Sequence, residues 1–158
     1  MSHFKLDRAF VIPMIMVILF DQSSKFVAQQ KGIVIYNTGV SLGLFTLVPR
    51  MFLTVALLAL LIGVALIFRS IWQQIPLASG LFFGGGISNL LDRLIAGGVR
   101  DWLPIPLMTI HNNLADYAIG LGLVTMIFLT LRQTYVIETT KDTSASHQEM
   151  ADLEDEDP

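Results

Sequence analysis

The sequence predicts an all-α membrane protein with four transmembrane helices and a small β element in its first outer loop. Hydrophobic residues make up 53% of the 158-residue chain and charged residues only 15%, against roughly 25% charged residues in a soluble domain. Mean hydropathy is +0.63. Long apolar runs recur along the chain, and its length allows about four helices of ~20 residues each across a bilayer.

Composition also limits the chemistry. The chain has no cysteine, which excludes disulfides, thiol nucleophiles, thiolate metal sites and iron–sulfur clusters. The net charge of −3 is unevenly distributed along the chain, because eight of the thirteen acidic residues lie between Glu138 and Asp157. We therefore predict a mildly basic membrane domain over residues 1–137. Residues 138–158 are predicted to form an acidic, disordered cytoplasmic tail.

The first predicted helix covers about residues 9–29. A basic start at Lys5 and Arg8 before a dozen or so apolar residues also fits a cleavable signal peptide, but no small-residue cleavage site follows at once. Asp21 and Lys25 are four residues apart, so they share a helical face and can pair. Spacing leaves two interpretations open. The pair is either interfacial, with a snorkelling lysine, or turned inward to support a site.

The first outer loop and the second helix show no chemistry of their own. Residues 33–36, Ile-Val-Ile-Tyr, favour a strand, and the Asn-Thr-Gly that follows favours a common turn. The second predicted helix covers about residues 51–68. Thr54 is its only hydroxyl and it carries no charge, so we expect a structural role.

The third predicted helix, about residues 75–95, combines small and polar residues. Gly80 and Gly84 form a GxxxG pattern, which lets helix backbones approach closely in lipid. We prefer this role to a phosphate-binding loop, because the glycines lie within an apolar run rather than between a strand and a helix. Asn89 and Arg93 share a face at i,i+4. Taken alone, they indicate a helix-end cluster facing lipid headgroups.

The fourth predicted helix covers about residues 114–132 and is entered through a polar loop. A Gly-Gly pair ends the third helix, and Trp102 is of a type found at membrane interfaces. Asp116 lies in the first turn of the fourth helix. Asn113 precedes it by three residues and therefore lies on the same side.

Basic residues predict the orientation. With four spans both termini share a side, and that side carries five basic residues against three on the other. The positive-inside rule therefore weakly favours cytoplasmic termini. Both loops with polar residues then face outward, which places a site at the outer leaflet.

The stretch Gly84–Asp116 concentrates the candidate chemistry. An ionisable group in or beside a bilayer costs on the order of several kcal/mol, so it is a functional-site candidate. Fourteen residues separate Asp101 from Asp116, enough for both carboxyls to meet. Two adjoining carboxyls share a proton, so one can activate water while the other donates a proton, as in an aspartic peptidase. The plainer interpretation is that an aspartate at a helix start interacts favourably with the helix dipole.

Other chemistries fit the sequence less well. A Ser–Lys hydrolase would pair Ser23 or Ser24 with Lys25, but neighbours on a helix do not face each other. A metal site at His111 with the two aspartates lacks a second histidine outside the polar termini. A proton-coupled carrier would also place carboxylates in the membrane, but it usually needs more helices and a central cavity.

Five motifs occur in order between Asp21 and about Ile119: DQSSK, NTGVSLGLF, GGISNLLDR, VRDW and NNLADYAI. Each is weak alone, but all five in order are specific. They resemble the bacterial lipoprotein signal peptidases, also called signal peptidase II, which are four-helix aspartic peptidases of the inner membrane.

The resemblance implies a protease that removes the signal peptide from prolipoproteins, cutting just before a diacylglyceryl-modified cysteine. It implies that Asp101 and Asp116 are the catalytic pair, with no metal or cofactor. The supporting or substrate-binding residues that it implies are Asp21, Lys25, Asn37, Gly39, Asn89, Arg93 and Asn113. The implied partners are prolipoproteins, membrane lipids and the inhibitor globomycin, and no nucleic acid is expected.

The chain departs from the family pattern in places. Only eleven residues separate Lys25 from Asn37, where family members have a longer segment that builds a small β-sheet, so we expect a reduced sheet. Asn112 stands where phenylalanine is usual, and Trp102 replaces another common phenylalanine. The short loop leaves a catalytically silent relative that binds lipidated precursors as an alternative, beside the proton-coupled carrier.

Overall fold

A computed structural model describes residues 7–39, 49–67 and 69–155. The described chain is mostly helical, and its strands are only two to three residues long. Its elements are α1 Arg8–Gln30, β1 Ile35–Asn37, α2 Arg50–Ile67, α3 Arg69–Gln74, α4 Pro76–Ile95, β2 Val99–Asp101, β3 Leu103–Pro104, β4 His111–Asn112 and α5 Leu114–Asp155. The part of the NTGVSLGLF motif after Gly39 lies outside the described residues.

The helix ends follow from the local sequence. Asp7 caps α1, because its side chain accepts a hydrogen bond of 2.9 Å from the Ala9 N–H. Pro76 occupies the first turn of α4, where a missing N–H does no harm. Gly97 follows α4 with φ +74°, a conformation open to glycine, and the chain turns there towards β2.

Two helices are long and apolar enough to cross a bilayer. They are α1, with a mean hydropathy of 1.6, and the part of α5 from Leu114 to Ile137, with 1.9. Met51–Ile67, within α2, is a shorter apolar helix. Many large apolar side chains of these helices are exposed on the protein, as expected where lipid is the solvent.

Small residues bring α4 against its neighbours. A Cβ on Gly80 would lie 2.5 Å from the Phe10 carbonyl oxygen, and one on Gly84 would lie 2.7 Å from that of Met14. The predicted role of the GxxxG pattern in close helix packing is therefore confirmed. On the α5 side, a Cβ on Gly122 would lie 2.6 Å from the Ala78 carbonyl oxygen.

The β element differs from the prediction, which confined it to the first outer loop. Strand β1 pairs antiparallel with β2, which lies between α4 and α5, so that Asn37 is opposite Val99 and Ile35 is opposite Asp101. A second ribbon, β3 with β4, lies wholly in that later segment. The physical reason is that a three-residue strand cannot satisfy its own backbone groups and needs a partner.

Two compact units divide the chain, Met1–Met126 and Ile127–Pro158. All predicted site residues belong to the first. In the second, α5 is helical to Asp155, through the segment for which the sequence predicts a disordered tail. No glycine or proline lies between Gly122 and Pro158, so nothing in this segment interrupts a helix. The division into a peptidase domain over 1–137 and a tail over 138–158 stays a prediction.

Candidate active site

The nine predicted site residues form one connected network of hydrogen bonds and ion pairs. The connections run from α1 through α4 to the start of α5, and then through β2 to β1. In order, the residues are Asp21, Lys25, Asn89, Asp116, Asn113, Asp101, Asn37, Gly39 and Arg93. The structure thus brings together every residue that the resemblance singled out.

Asp101 and Asp116 are bridged by a single amide. The Asn113 Nδ2 donates to Asp101 Oδ1 at 2.6 Å and to Asp116 Oδ2 at 3.0 Å. The Asn113 Oδ1 accepts from the Asp116 backbone N–H at 3.1 Å. Because that N–H can only donate, the oxygen of the amide must face it, and the NH₂ group must face the two carboxyls.

The outer oxygens of the two carboxyls are also held by amides. Asn37 Nδ2 donates to Asp101 Oδ2 at 3.0 Å, and Asn89 Nδ2 donates to Asp116 Oδ1 at 2.6 Å. The Asn37 Oδ1 accepts from the Gly39 N–H at 3.0 Å, which fixes the orientation of that amide in turn. All four carboxyl oxygens therefore accept an N–H, and both side chains are held in defined positions.

Burial sets the protonation of Asp101. Asp101 is only 2% exposed. Loss of solvent raises the pKa of its carboxyl above the ordinary value, although the hydrogen bonds from Asn113 and Asn37 act to lower that pKa. A carboxyl with a raised pKa keeps a proton to higher pH, and a proton-sharing acidic pair needs such a group.

Arg93 ties the segment that follows β1 to α4. Its guanidinium donates to the Gly39 carbonyl at 2.8 Å and, less closely, to the Asn89 carbonyl at 3.3 Å. These contacts within the protein disfavour, for Arg93, the alternative of a helix-end cluster that faces lipid headgroups. Its contact with Gly39 holds the end of β1, and with it Asn37, against the carboxyl pair.

Lys25 lies in a buried charge cluster, which decides between the two interpretations of the first helix. Its Nζ contacts Asp21 at 2.6 Å, Asp92 at 3.0 Å and Asn89 at 2.9 Å. The side chains of all three charged residues are fully buried, so the pair is turned inward. The three ammonium hydrogens are thereby all used.

A cavity of about 610 Å³ opens beside Asp116. Both polar and apolar side chains line it, and the apolar ones come from α2, α4 and α5. The polar lining residues are Asn37, Asn89, Arg93, His111, Asn112 and Asp116; the apolar ones include Leu57, Leu60, Leu61, Val64, Phe82, Leu90 and Ile119. Such a cavity suits a substrate with a peptide portion and a large apolar portion.

Residues 13–132 match the family model for signal peptidase II. The match covers well over half of the chain. The chain belongs to the signal peptidase II family. This membership confirms the resemblance and classes the chain as a membrane peptidase.

Relatives of this signal peptidase II family member support the same conclusion. The chain is 33% identical over 142 residues to the lipoprotein signal peptidase of Burkholderia vietnamiensis, covering 75% of this chain and 85% of the relative. It is 29% identical over 140 residues to that of Thermodesulfovibrio yellowstonii, covering 77% and 94%. The match to that of Caldicellulosiruptor bescii, 30% identical over 99 residues, covers 63% of this chain and 65% of the relative, just under two thirds.

Solved structures share the fold. A bacterial membrane enzyme determined by the in meso method at 2.3 Å resolution has a TM-score of 0.62 with 21% identity, covering 78% of this chain and 88% of that one. A second structure of the same description, at 1.9 Å, gives the same TM-score and covers 77% and 90%. The likeness supports the helical membrane fold.

Sequence reasoning missed an outer part of the charge cluster. Asp92 accepts from the Arg100 guanidinium at 2.6 Å and from its backbone N–H at 2.9 Å. Gln22 donates to Asp92 at 3.0 Å, and Ser88 donates to Asp21 at 2.7 Å. The available signals were the adjacency of Asp92 to Arg93 and of Arg100 to Asp101 within the motifs. The sequence pointed to His111 only as a metal-ligand candidate and to Asn112 only as a departure from the family pattern, and not to either as a residue that lines the cavity.

The described part of the chain does not have the side-chain geometry needed by the Ser–Lys hydrolase or by the metal site. Ser24 Oγ donates to the Asp21 carbonyl at 2.8 Å, and Lys25 is engaged with acids and an amide. No cluster of three or more histidine, cysteine or acidic side chains within residues 7–39, 49–67 and 69–155 could hold a metal ion.

Proposed function

We propose that this protein is an aspartic endopeptidase that removes the signal peptide from prolipoproteins, cutting just before a diacylglyceryl-modified cysteine. The observation that carries the proposal is the placement of two carboxyls on one amide, that of Asn113, beside a largely apolar cavity. The family match and the relatives named lipoprotein signal peptidase supply the substrate class.

In this mechanism Asp101 and Asp116 share one proton and activate a water molecule. The ionised carboxyl takes a proton from the water as its oxygen attacks the scissile carbonyl carbon, and the protonated carboxyl donates its proton to the carbonyl oxygen. When the tetrahedral intermediate collapses, the carbon–nitrogen bond breaks, and the carboxyl that took the proton from water gives it to the leaving nitrogen. The other carboxyl takes a proton from a hydroxyl of the intermediate as the new carboxyl group forms. The pair returns to its singly protonated state, so no cofactor is consumed.

The asparagines act by positioning. Four N–H donations from Asn37, Asn89 and Asn113 hold the carboxyl oxygens before substrate arrives. Positioning of this kind lowers the barrier because the reacting groups need not be ordered again in the transition state. Each amide is itself oriented by another donor, namely the Gly39 N–H, the Lys25 ammonium or the Asp116 N–H.

The apolar wall of the cavity suits the lipid of the substrate. Leucines of α2 and Phe82 of α4 line the same cavity as Asp116. A diacylglyceryl chain lying along this wall would place the modified cysteine near the polar end, and with it the bond that precedes the cysteine. Globomycin would occupy the same cavity and exclude the precursor.

The proposed topology has four spans in the bacterial inner membrane, formed by α1, α2, α4 and the part of α5 up to about Ile137. Helix α3 then lies on the cytoplasmic side with both termini, as the distribution of basic residues favours. The carboxyl pair lies at the opposite end, at the level of the outer leaflet, where the lipid of a precursor can enter sideways.

The test is cleavage of a diacylglyceryl-modified precursor by the purified protein in detergent, followed by its mobility on a gel. We expect cleavage of the lipidated precursor, no cleavage of the same precursor without lipid, and inhibition by globomycin. Binding of the lipidated precursor by folded protein without turnover would reject the peptidase in favour of the silent relative. Equal cleavage of both precursors would reject the proposed substrate class.

A further inference from the structure

The loop between β3 and β4 is apolar and exposed. Residues 102–110 read Trp-Leu-Pro-Ile-Pro-Leu-Met-Thr-Ile, without a charge and with one hydroxyl. At the tip, defined here as residues 105–110, Leu107 is fully exposed and Met108 is 60% exposed. Large apolar side chains that are exposed together often mark a surface that contacts a membrane or another protein.

The backbone at the tip is strained in a way that presents Leu107. The Met108 N–H donates to the Ile105 carbonyl at 3.1 Å, Pro106 is the second residue of this turn, and Leu107 is the third, with φ +67°. This is the pattern of a type II turn, whose third position favours glycine or asparagine. Leu107 is the only non-glycine residue with positive φ in the described chain. Leu107 is strained and also fully exposed, so packing within the protein does not explain why a leucine is held in this conformation. This indicates a role for its side chain outside the fold.

The tip lies between two apolar helix ends along the chain, ten residues after the last residue of α4 and four residues before the first residue of α5. Helix α4 ends at Leu94 and Ile95, which are 60% and 79% exposed. Leu114 opens the candidate span of α5, directly after β4 and Asn113. The tip is thus flanked along the chain by the ends of two helices that expose large apolar side chains.

We propose that the tip of the β3–β4 hairpin inserts into the lipid bilayer on the side of the carboxyl pair. Leu107 and Met108 would enter the boundary between lipid headgroups and acyl chains, while the backbone of the turn stays near the polar headgroups. One residue, Trp102, separates Asp101 at the end of strand β2 from the start of β3. Insertion therefore fixes the height of the active site above the acyl chains. This proposal rests on membrane embedding and not on catalysis.

The cysteine-free chain allows a direct test. Single cysteines at Leu107→Cys, Met108→Cys and Lys31→Cys are labelled with bimane, and the full chain is placed in phosphatidylcholine vesicles. Lys31 is an exposed residue just after α1, at the same end of the protein. We expect lipids with a nitroxide near the headgroup to quench the labels at 107 and 108 several-fold more than the label at 31. Aqueous iodide should show the reverse order.

A second variant tests the role of the leucine itself. With Met108→Cys as the labelled site, Leu107→Asp should move the tip into water, so that quenching by iodide rises and quenching by lipid nitroxide falls. Equal iodide quenching at positions 107 and 31 would overturn the proposal. So would protection of position 107 from both quenchers, which would mean that protein, for example a second copy of the chain, covers the tip.

Discussion

Lys25 and Asn89 are joined by a buried hydrogen bond of 2.9 Å, and this bond determines which side of the Asn89 amide faces Asp116. A lysine ammonium can only donate, so it takes the amide oxygen and leaves the NH₂ group for the carboxyl, 2.6 Å away. The charge cluster of α1 and α4 is thus coupled to the proposed catalytic pair through one side chain.

Replacement of Lys25 by methionine should destabilise the protein. Asp21 and Asp92 would remain buried without the cation that contacts both, and breaking a buried ion pair from one side costs about 3 to 5 kcal/mol. Thermal melts in detergent measure the loss. Lys31→Met, at an exposed lysine, is the control and should melt like wild type. A Lys25→Met variant as stable as Lys31→Met would contradict a structural role for the cluster.

Replacement of Asn113 by alanine should slow turnover more than it weakens substrate binding. The variant loses both donations that hold the pair, and small misplacement of reacting groups costs about 100-fold in rate. We expect kcat to fall by about that factor. Asn112→Ala is the matched comparison. It removes a neighbouring cavity residue and should act mainly on KM. The same pattern in both variants would argue against positioning by Asn113.

Asp101 should make stability depend on pH. Burial raises the pKa of its carboxyl in the folded protein above the unfolded pKa of about 3.9. At a pH between these two pKa values, the folded protein therefore binds more protons than the unfolded chain. Stability contributed by this group is present at low pH and is lost as pH rises through the folded pKa. Wild type should therefore lose melting temperature relative to Asp101→Asn as pH rises from about 4 towards neutrality.

The control for this pH series is Asp7→Asn, at an exposed cap where asparagine can replace aspartate. Its melting temperature should not separate from that of wild type in the way that Asp101→Asn does. A difference between wild type and Asp101→Asn that stays constant across the series would remove the basis for a raised pKa.

Substitution of Gly85 should disturb the site through helix packing. A Cβ there would overlap the Ala115 carbonyl oxygen and crowd Ile119, so Gly85→Ala must push α5 away from α4 and carry Asp116 with it. We expect lower stability and lower activity together. Gly63→Ala is the matched control, because a Cβ at Gly63 meets nothing within 4 Å. Since alanine is the better helix former, that control should be neutral or slightly stabilising.

Local spacing predicted which side chains share a helical face, the resemblance implied which residues form the site, and the contacts between them depended on long-range pairing. The four-residue interval between Asp21 and Lys25 gave a shared face, but spacing cannot say whether a face turns towards lipid or protein. Their inward direction follows from the fit of α4 against α1, which the small residues permitted. The contact of Arg100 with Asp92 was not predicted because it joins a strand to a helix. The side-chain repeat of a helix or of a strand relates only residues within one element.

The fold shows the same division. Apolar runs located the helices, because membrane spans are set by composition and length. The β1–β2 pairing could not be read locally, since Asn37 meets Val99 across some sixty residues of chain. That pairing is what brings Asn37 to Asp101. Helix α5 runs to Asp155, through a segment whose acidic composition predicts disorder while its individual residues permit a helix.

The most direct test of the account is cleavage of a diacylglyceryl-modified precursor by Asp101→Asn and by Asp116→Asn, beside wild type, with each protein shown to be folded by its thermal melt. Neither variant can complete a pair that shares one proton. The account predicts cleavage by wild type and none by either folded variant. Cleavage at the wild-type rate by either one would contradict it, and the catalytic group would have to be sought elsewhere along the cavity.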